Sequence, residues 1–149
     1  MIKVVSFDVG HTLIKYNNPL SWTSLYRPAL CEAAAKCNIV LADGMMDAAA
    51  EILKDFAMLT DYIDLILTSV DVGYRKPCKE GFLKTAECFN ILPNEMIYVG
   101  DEEKDIVGAN SVGAVSVLIN RSNAVKTFNQ NYTIDSLDKL CGIIDTLNL

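Results

Sequence analysis

The chain has 149 residues, 51% hydrophobic and 21% charged, with a net charge of −6 and one histidine. That length suits a single domain over residues 1–149, able to bury about 68–70% of its unfolded surface. The acidic balance argues against a nucleic-acid partner, which calls for a basic footprint. No apolar run approaches the roughly 18 residues of a membrane span, and no basic-then-apolar leader is present, so no membrane partner or secretory signal is expected. The five cysteines, at 31, 37, 78, 88 and 141, form no Cys-x-x-Cys pair. With one histidine they make a poor zinc set, so reduced thiols acting as small core residues, in a cytoplasmic protein, are the expectation.

In chain order, Lys3-Val4-Val5-Ser6-Phe7 is a short apolar run suited to a buried parallel strand, and it ends on Asp8-Val9-Gly10. Residues 10–21 read as a loop or short flap. Helix-like spacing follows in the second half of 21–36, with Pro28 fitting a first-turn position. Residues 38–42 predict a second strand stopped by Asp43-Gly44. Met45, Ala49, Ile52, Leu53 and Phe56 then line one helical face. Residues 63–67 predict a third strand. Pro77 opens a helix with Phe82, Ala86 and Phe89 on one face, and 96–99 predict a fourth strand ended by Gly100-Asp101. A short helix around 103–112, a fifth strand at 114–119 and a polar loop at 120–131 come next. Ser136 is the expected N-cap of a last helix carrying Leu137, Leu140, Cys141 and Ile144. Strands alternating with helices imply βαβ units with right-handed crossovers. The expected fold is α/β and Rossmann-like, a mostly parallel sheet of five or six strands with helices on both faces.

The order of strand-end motifs resembles the haloacid dehalogenase-like (HAD) hydrolases over residues 1–120. Asp8-Val9-Gly10-His11-Thr12-Leu13 looks like the family's opening motif, in which the first Asp is a nucleophile and a magnesium ligand. Val40-Leu41-Ala42-Asp43-Gly44 is the best match to the second motif. Tyr74-Arg75-Lys76-Pro77 matches the motif in which a Lys precedes a Pro-initiated helix, and Gly100-Asp101-Glu102-Glu103-Lys104-Asp105 matches the acidic motif after the fourth strand. Two positions depart from the pattern. Gly10 stands where most HAD phosphatases carry a second Asp as general acid/base, and Ala42 stands where a Ser or Thr binds the phosphoryl group.

The resemblance implies that the first and fourth strands are neighbours, so that Asp8 and Asp101 face each other across the crevice where strand order reverses. Carboxylates converging without a cation would repel and push their pKa values apart. A magnesium cofactor, a hard cation favouring oxygen ligands, resolves that. The implied metal set is Asp8, Asp101, the Gly10 carbonyl and, through metal waters, Asp105. The implied catalytic pair is Asp8 and Lys76, with Thr12, Ala42, Asp43 and Lys76 in the substrate site. The interval from Gly10 to Ile39, about thirty residues, is short for the helical cap many members carry, so no cap domain is expected. An open site of that kind suits large substrates or a second protomer as lid. The expected partner is therefore a phosphorylated small molecule or phosphoprotein, within a possible homodimer.

These features imply a magnesium-dependent phosphohydrolase working through an aspartyl nucleophile. Loss of the acid at position 10 slows such an enzyme by roughly 10²–10⁴-fold per affected proton transfer. A catalytically impaired phosphate- or metal-binding domain with a regulatory role is the alternative. A structural module whose acids merely cap helices is the third reading.

Overall fold

In the computed structural model, which describes residues 1–13, 32, 35–36, 63–122 and 124–149, the first apolar run becomes strand β1, Val4–Phe7. Its parallel neighbour is β2, Met96–Gly100, in a register running from Val4 opposite Met96 to Phe7 opposite Val99. Beyond it lie β3, Val115–Ile119, and β4, Tyr132–Ile134, each parallel to the strand before. Among the described residues the sheet order is β1-β2-β3-β4. Parallel neighbours require long crossover connections. Helix α1, Glu80–Cys88, precedes β2; α2, Glu103–Val112, joins β2 to β3; and α3, Leu140–Leu147, follows β4.

Every residue of β2 is buried, as expected of a strand covered on both faces. The two-residue period of its side chains divides the core. Ile97 and Val99 pack with Val117, Ile119, Ile134 and Leu140 on the α3 side. Met96 and Tyr98 pack with Phe82, Ala109 and Ala114 on the side of α1 and α2. There the Phe82 ring meets Tyr98 edge-on at 4.7 Å. At its far end α2 closes on Gly113, left-handed at φ 77°. The Ala114 and Gly113 N–H groups return to the Ala109 and Asn110 carbonyls at 3.1 Å, the pairing of a Schellman stop.

The chain divides into two compact units, Met1–Lys15 with Val72–Leu149, and Tyr16–Asp71. The sheet and its three helices lie in the first. In the second, residues 32, 35 and 36 are helical, and a helical turn, Ser69–Val72, starts near its end. Thr68 and Asp71 cap that turn reciprocally. The Thr68 hydroxyl accepts from the Asp71 N–H at 3.3 Å, while Asp71 Oδ2 accepts from the Thr68 N–H at 2.7 Å.

Several expectations are corrected. Residues 63–67 form no strand among the described residues; apolar β-branched content supplies propensity, but a strand exists only where a neighbour completes its ladder. Residues 132–134, between the polar loop at 120–131 and Ser136 and with no element expected, form β4. Ser136 starts a 3₁₀ turn, Leu137–Lys139, without capping it; its hydroxyl donates to Asp138 instead. The described cysteines, Cys78, Cys88 and Cys141, are exposed rather than in the core. On α3, Leu140 takes the buried position and leaves its neighbour Cys141 outside. The expected strand at 38–42, the helix through 45–56 and nearly all of the 14–37 interval lie outside the described residues. Among the described residues no helix is long and apolar enough to cross a membrane.

Candidate active site

The site forms at the carboxyl edge of the sheet because β1 and β2 end together. The Asp8 N–H donates to the Val99 carbonyl at 2.8 Å, extending the ladder one residue past β1. Asp8 is thus placed beside Gly100 and Asp101, across the strand boundary. Glycine at 100 is a steric requirement. A Cβ there would lie 2.4 Å from Asp105 Cβ and 2.5 Å from its carboxylate, so the Asp105 side chain occupies the space that a residue 100 side chain would need.

Asp105 is placed by the first turn of α2. Its Oδ2 accepts the Glu102 N–H at 3.1 Å, satisfying one of the unpaired donors of the helix N-terminus. Its Oδ1 accepts from the Lys76 ammonium at 2.6 Å. Lys76 also donates to Asp8 Oδ1 and, at 3.2 Å, to the Tyr98 hydroxyl oxygen. An ammonium has three N–H donors, and here three acceptors meet it. The carboxylates of Asp8, Asp101 and Asp105 present oxygens within 4.8 Å of one another.

The electrostatics follow from this crowding. Burial works against the Lys76 charge, but Tyr98 and the Asp105 and Asp8 carboxylates outweigh it and hold its pKa well above the ordinary lysine value. Burial, reinforced by the two carboxylates, pushes the Tyr98 hydroxyl up, so it stays a neutral phenol. Asp105, fully buried, is pushed up by burial and held back by Lys76. Asp101 is pushed up by burial and then by the charges of Asp8, Asp105 and Glu102. Lys76 reaches Asp8 and Asp105 but not Asp101, so the cluster carries excess negative charge on the Asp101 side. Hard oxygen donors short of positive charge suit a magnesium ion. Asp8 and Asp101 fit as direct ligands, whereas both oxygens of Asp105 are already engaged within the protein.

Of the other residues singled out in the sequence, Gly10 lies in the loop after β1 and Thr12 is fully buried. The Thr12 hydroxyl meets no hydrogen-bond partner among the described residues. Ala42 and Asp43 lie outside the described residues. Three residues of the site escaped sequence reasoning: Tyr98, Arg121 and Lys126. A phenol in the otherwise apolar β2 needs a polar partner, and that signal points to Tyr98. Arg121 follows β3 by two residues and so reaches the same sheet edge. It donates to the carbonyls of His11 and, at 2.9 Å, of Thr12. Lys126 donates to the Asp101 carbonyl at 3.2 Å. His11 itself is left-handed at φ 54°, which costs a residue bearing a Cβ about 1–2 kcal/mol.

Known proteins share this framework. The family described as haloacid dehalogenase-like hydrolase matches residues 29–119. A ribulose-1,5-bisphosphate 5-phosphatase from Halopiger xanaduensis is 34% identical over 97 residues, 58% of this chain and 41% of that protein. The pyrophosphatase PpaX of Bacillus mycoides is 30% identical over 94 residues, 60% of this chain and 44% of its own length. The crystal structure of a HAD phosphatase from Thermococcus onnurineus superposes with a TM-score of 0.56 at 31% identity, covering 78% of this chain and 55% of that one. The chain thus spans under half the length of these two curated relatives. The family match takes in the Lys76 and Asp101–Asp105 motifs, and the parallel sheet brings both to Asp8: this chain belongs to the haloacid dehalogenase-like hydrolases.

Proposed function

We propose that the chain is the core of a magnesium-dependent phosphohydrolase in which Asp8 is the nucleophile. The observation that carries this reading is the Lys76 ammonium shared by Asp8 and Asp105, with the Asp101 carboxylate beside them. Asp8, Asp101 and the Gly10 carbonyl would hold the ion. When bound, magnesium supplies positive charge to the phosphoryl oxygens and offsets the repulsion among the carboxylates.

Lys76 fixes one oxygen of Asp8, and the other meets no hydrogen-bond donor among the described residues. That free oxygen attacks phosphorus, and the bond to the leaving oxygen breaks with its electron pair. Lys76 stays protonated throughout because its pKa lies so far above neutrality, so it acts as a fixed charge and not as the acid. Gly10 offers no proton either, so the leaving oxygen takes one from solvent. Water then attacks phosphorus, releasing inorganic phosphate and the Asp8 carboxylate. Substrates with good leaving groups, such as acyl or aryl phosphates, tolerate the missing acid best in this first step. The substrate is a phosphorylated small molecule or a phosphoprotein.

Glycine at position 10 also supports a second reading, a domain that binds phosphate and metal without turnover. Beryllofluoride with magnesium, followed by aryl phosphate hydrolysis, separates the two. The enzyme reading expects an adduct on Asp8 and slow, magnesium-dependent turnover that Asp8→Asn eliminates. Gly10→Asp should accelerate that turnover by up to about 10²–10⁴-fold. An adduct without turnover favours the binding domain. The hydrolase reading would be falsified by the absence of both.

A further inference from the structure

Arg121 lies at the end of β3, yet its guanidinium serves another strand's loop. Nη1 donates to the His11 carbonyl and Nη2 to the Thr12 carbonyl at 2.9 Å. These two carbonyls follow Asp8 by three and four residues, at the left-handed turn where His11 has φ 54°. Within that turn the Leu13 N–H returns to the Val9 carbonyl at 3.0 Å, and the Thr12 hydroxyl finds no partner among the described residues. The two Arg121 hydrogen bonds add a tie from outside the loop to a strained conformation. A planar guanidinium fits two successive carbonyls at once, whereas an ammonium is a single point charge.

We propose that Arg121 is a positioning residue whose guanidinium clamps the His11-Thr12 turn and so sets the Asp8 carboxylate against Lys76. The residue touches main-chain oxygens and neither the carboxylates nor the ammonium, so it acts through the loop. The same β3–β4 connection reaches the second acidic loop through Lys126, on the Asp101 carbonyl. That contact provides an internal control, because it too ties a loop carbonyl to this connection and, among the described residues, makes no hydrogen bond to residues 9–13.

Hydrogen exchange on the full chain tests the clamp without relying on catalysis. In Arg121→Met, the amides of residues 9–13 should exchange roughly tenfold faster or more, the scale set by losing hydrogen bonds to a charged group. The β1 and β2 amides should keep their protection, and Lys126→Met should leave residues 9–13 as they were. Arg121→Lys should fall between wild type and Arg121→Met, and serves if the methionine variant folds poorly. Unchanged exchange at 9–13, an equal rise in Lys126→Met, or loosening throughout the sheet would each overturn the clamp. The kinetic arm rests on the hydrolase reading. With an aryl phosphate, Arg121→Met should lower kcat by about 10²-fold, the effect of a small misplacement of a reacting group, with KM changed less than about twofold. A raised KM at unchanged kcat would make Arg121 a substrate contact and refute the clamp. If the unmodified protein turns over no phosphate, the hydrolase reading falls while exchange still decides the role of Arg121.

Discussion

Lys76 is the residue on which the site's electrostatics balance, since its three donors meet Asp8, Asp105 and Tyr98. Replacing it by methionine strands the fully buried Asp105 carboxylate. Breaking such a pair costs about 3–5 kcal/mol, and the lower end applies because Lys76 keeps some contact with water. At roughly 2–4 °C per kcal/mol for a chain of this size, thermal denaturation at neutral pH should show Tm lowered by at least about 6 °C. Because the folded pKa of Lys76 is raised, its stabilisation is complete below the ordinary lysine value and fades as pH rises beyond it. The gap between Lys76→Met and wild type should therefore persist to about pH 10 and narrow only above. Asp101 has the opposite effect. Its folded pKa is raised by burial and by neighbouring negative charges, so the native state binds more protons than the unfolded one above the ordinary carboxyl value of about 3.9. Stability falls as pH rises through that window, and the ionised side chain is a net burden at neutrality. Asp101→Asn in magnesium-free buffer should accordingly raise Tm at about pH 7 and lose that advantage near pH 4. A lower Tm at neutral pH would mean that Asp101 contributes through contacts rather than charge.

At the scale of elements, the packing of α2 against α1 depends on Gly108. A Cβ there would meet the Phe82 ring at 2.2 Å and the Pro77 carbonyl at 3.1 Å. Alanine gains about 0.8–1 kcal/mol of helix propensity over glycine, whereas overpacking a filled core costs about 1–3 kcal/mol. Phe82 cannot swing away cheaply, since it is buried and edge-on to Tyr98 at 4.7 Å. An approach of 2.2 Å puts the cost at the upper end of that range, so Gly108→Ala should destabilise the protein in urea by about 2 kcal/mol net. Phe82→Leu in that background should restore part of the loss, and a purely additive double mutant would show that the clash is not the cause. The elements also differ in how well the sequence announced them. Helix α2 was expected around 103–112 and runs Glu103–Val112, because its acidic first turn and Gly113 stop are local signals. β4 was not expected, since three residues carry too little pattern to announce a strand. Its pairing with β3 along Val117 to Ile119 makes it one.

At the scale of the whole molecule, the proposed magnesium ion at the acidic edge would stabilise the native state by mass action, by about 2.7 kcal/mol at a hundredfold excess over Kd. For a chain of this size that raises Tm by about 5–11 °C. Calorimetry across a magnesium titration should show this rise, and Asp101→Asn should remove it. A flat response in the wild-type protein would remove the metal from the proposal.

Some of this was determined in the chain itself. A four- or five-residue apolar run closing on Asp8 or on Gly100-Asp101, and the order of the Asp8, Lys76 and Asp101–Asp105 motifs, are local facts. They announce parallel strands with acids at their ends, and through the motif order they announce the family. The partners of each charge were not legible, because hydrogen bonds join residues by position in space. Lys76 meets Tyr98 from β2 and Asp105 from α2 at one point, where the Glu102 N–H holds the Asp105 carboxylate over a Gly100 that leaves room for it. Arg121 reaches the carbonyls of His11 and Thr12 across more than a hundred residues of sequence because parallel strands bring all their carboxyl ends to one edge. Periodicity cannot announce that meeting, and only the completed sheet decides it.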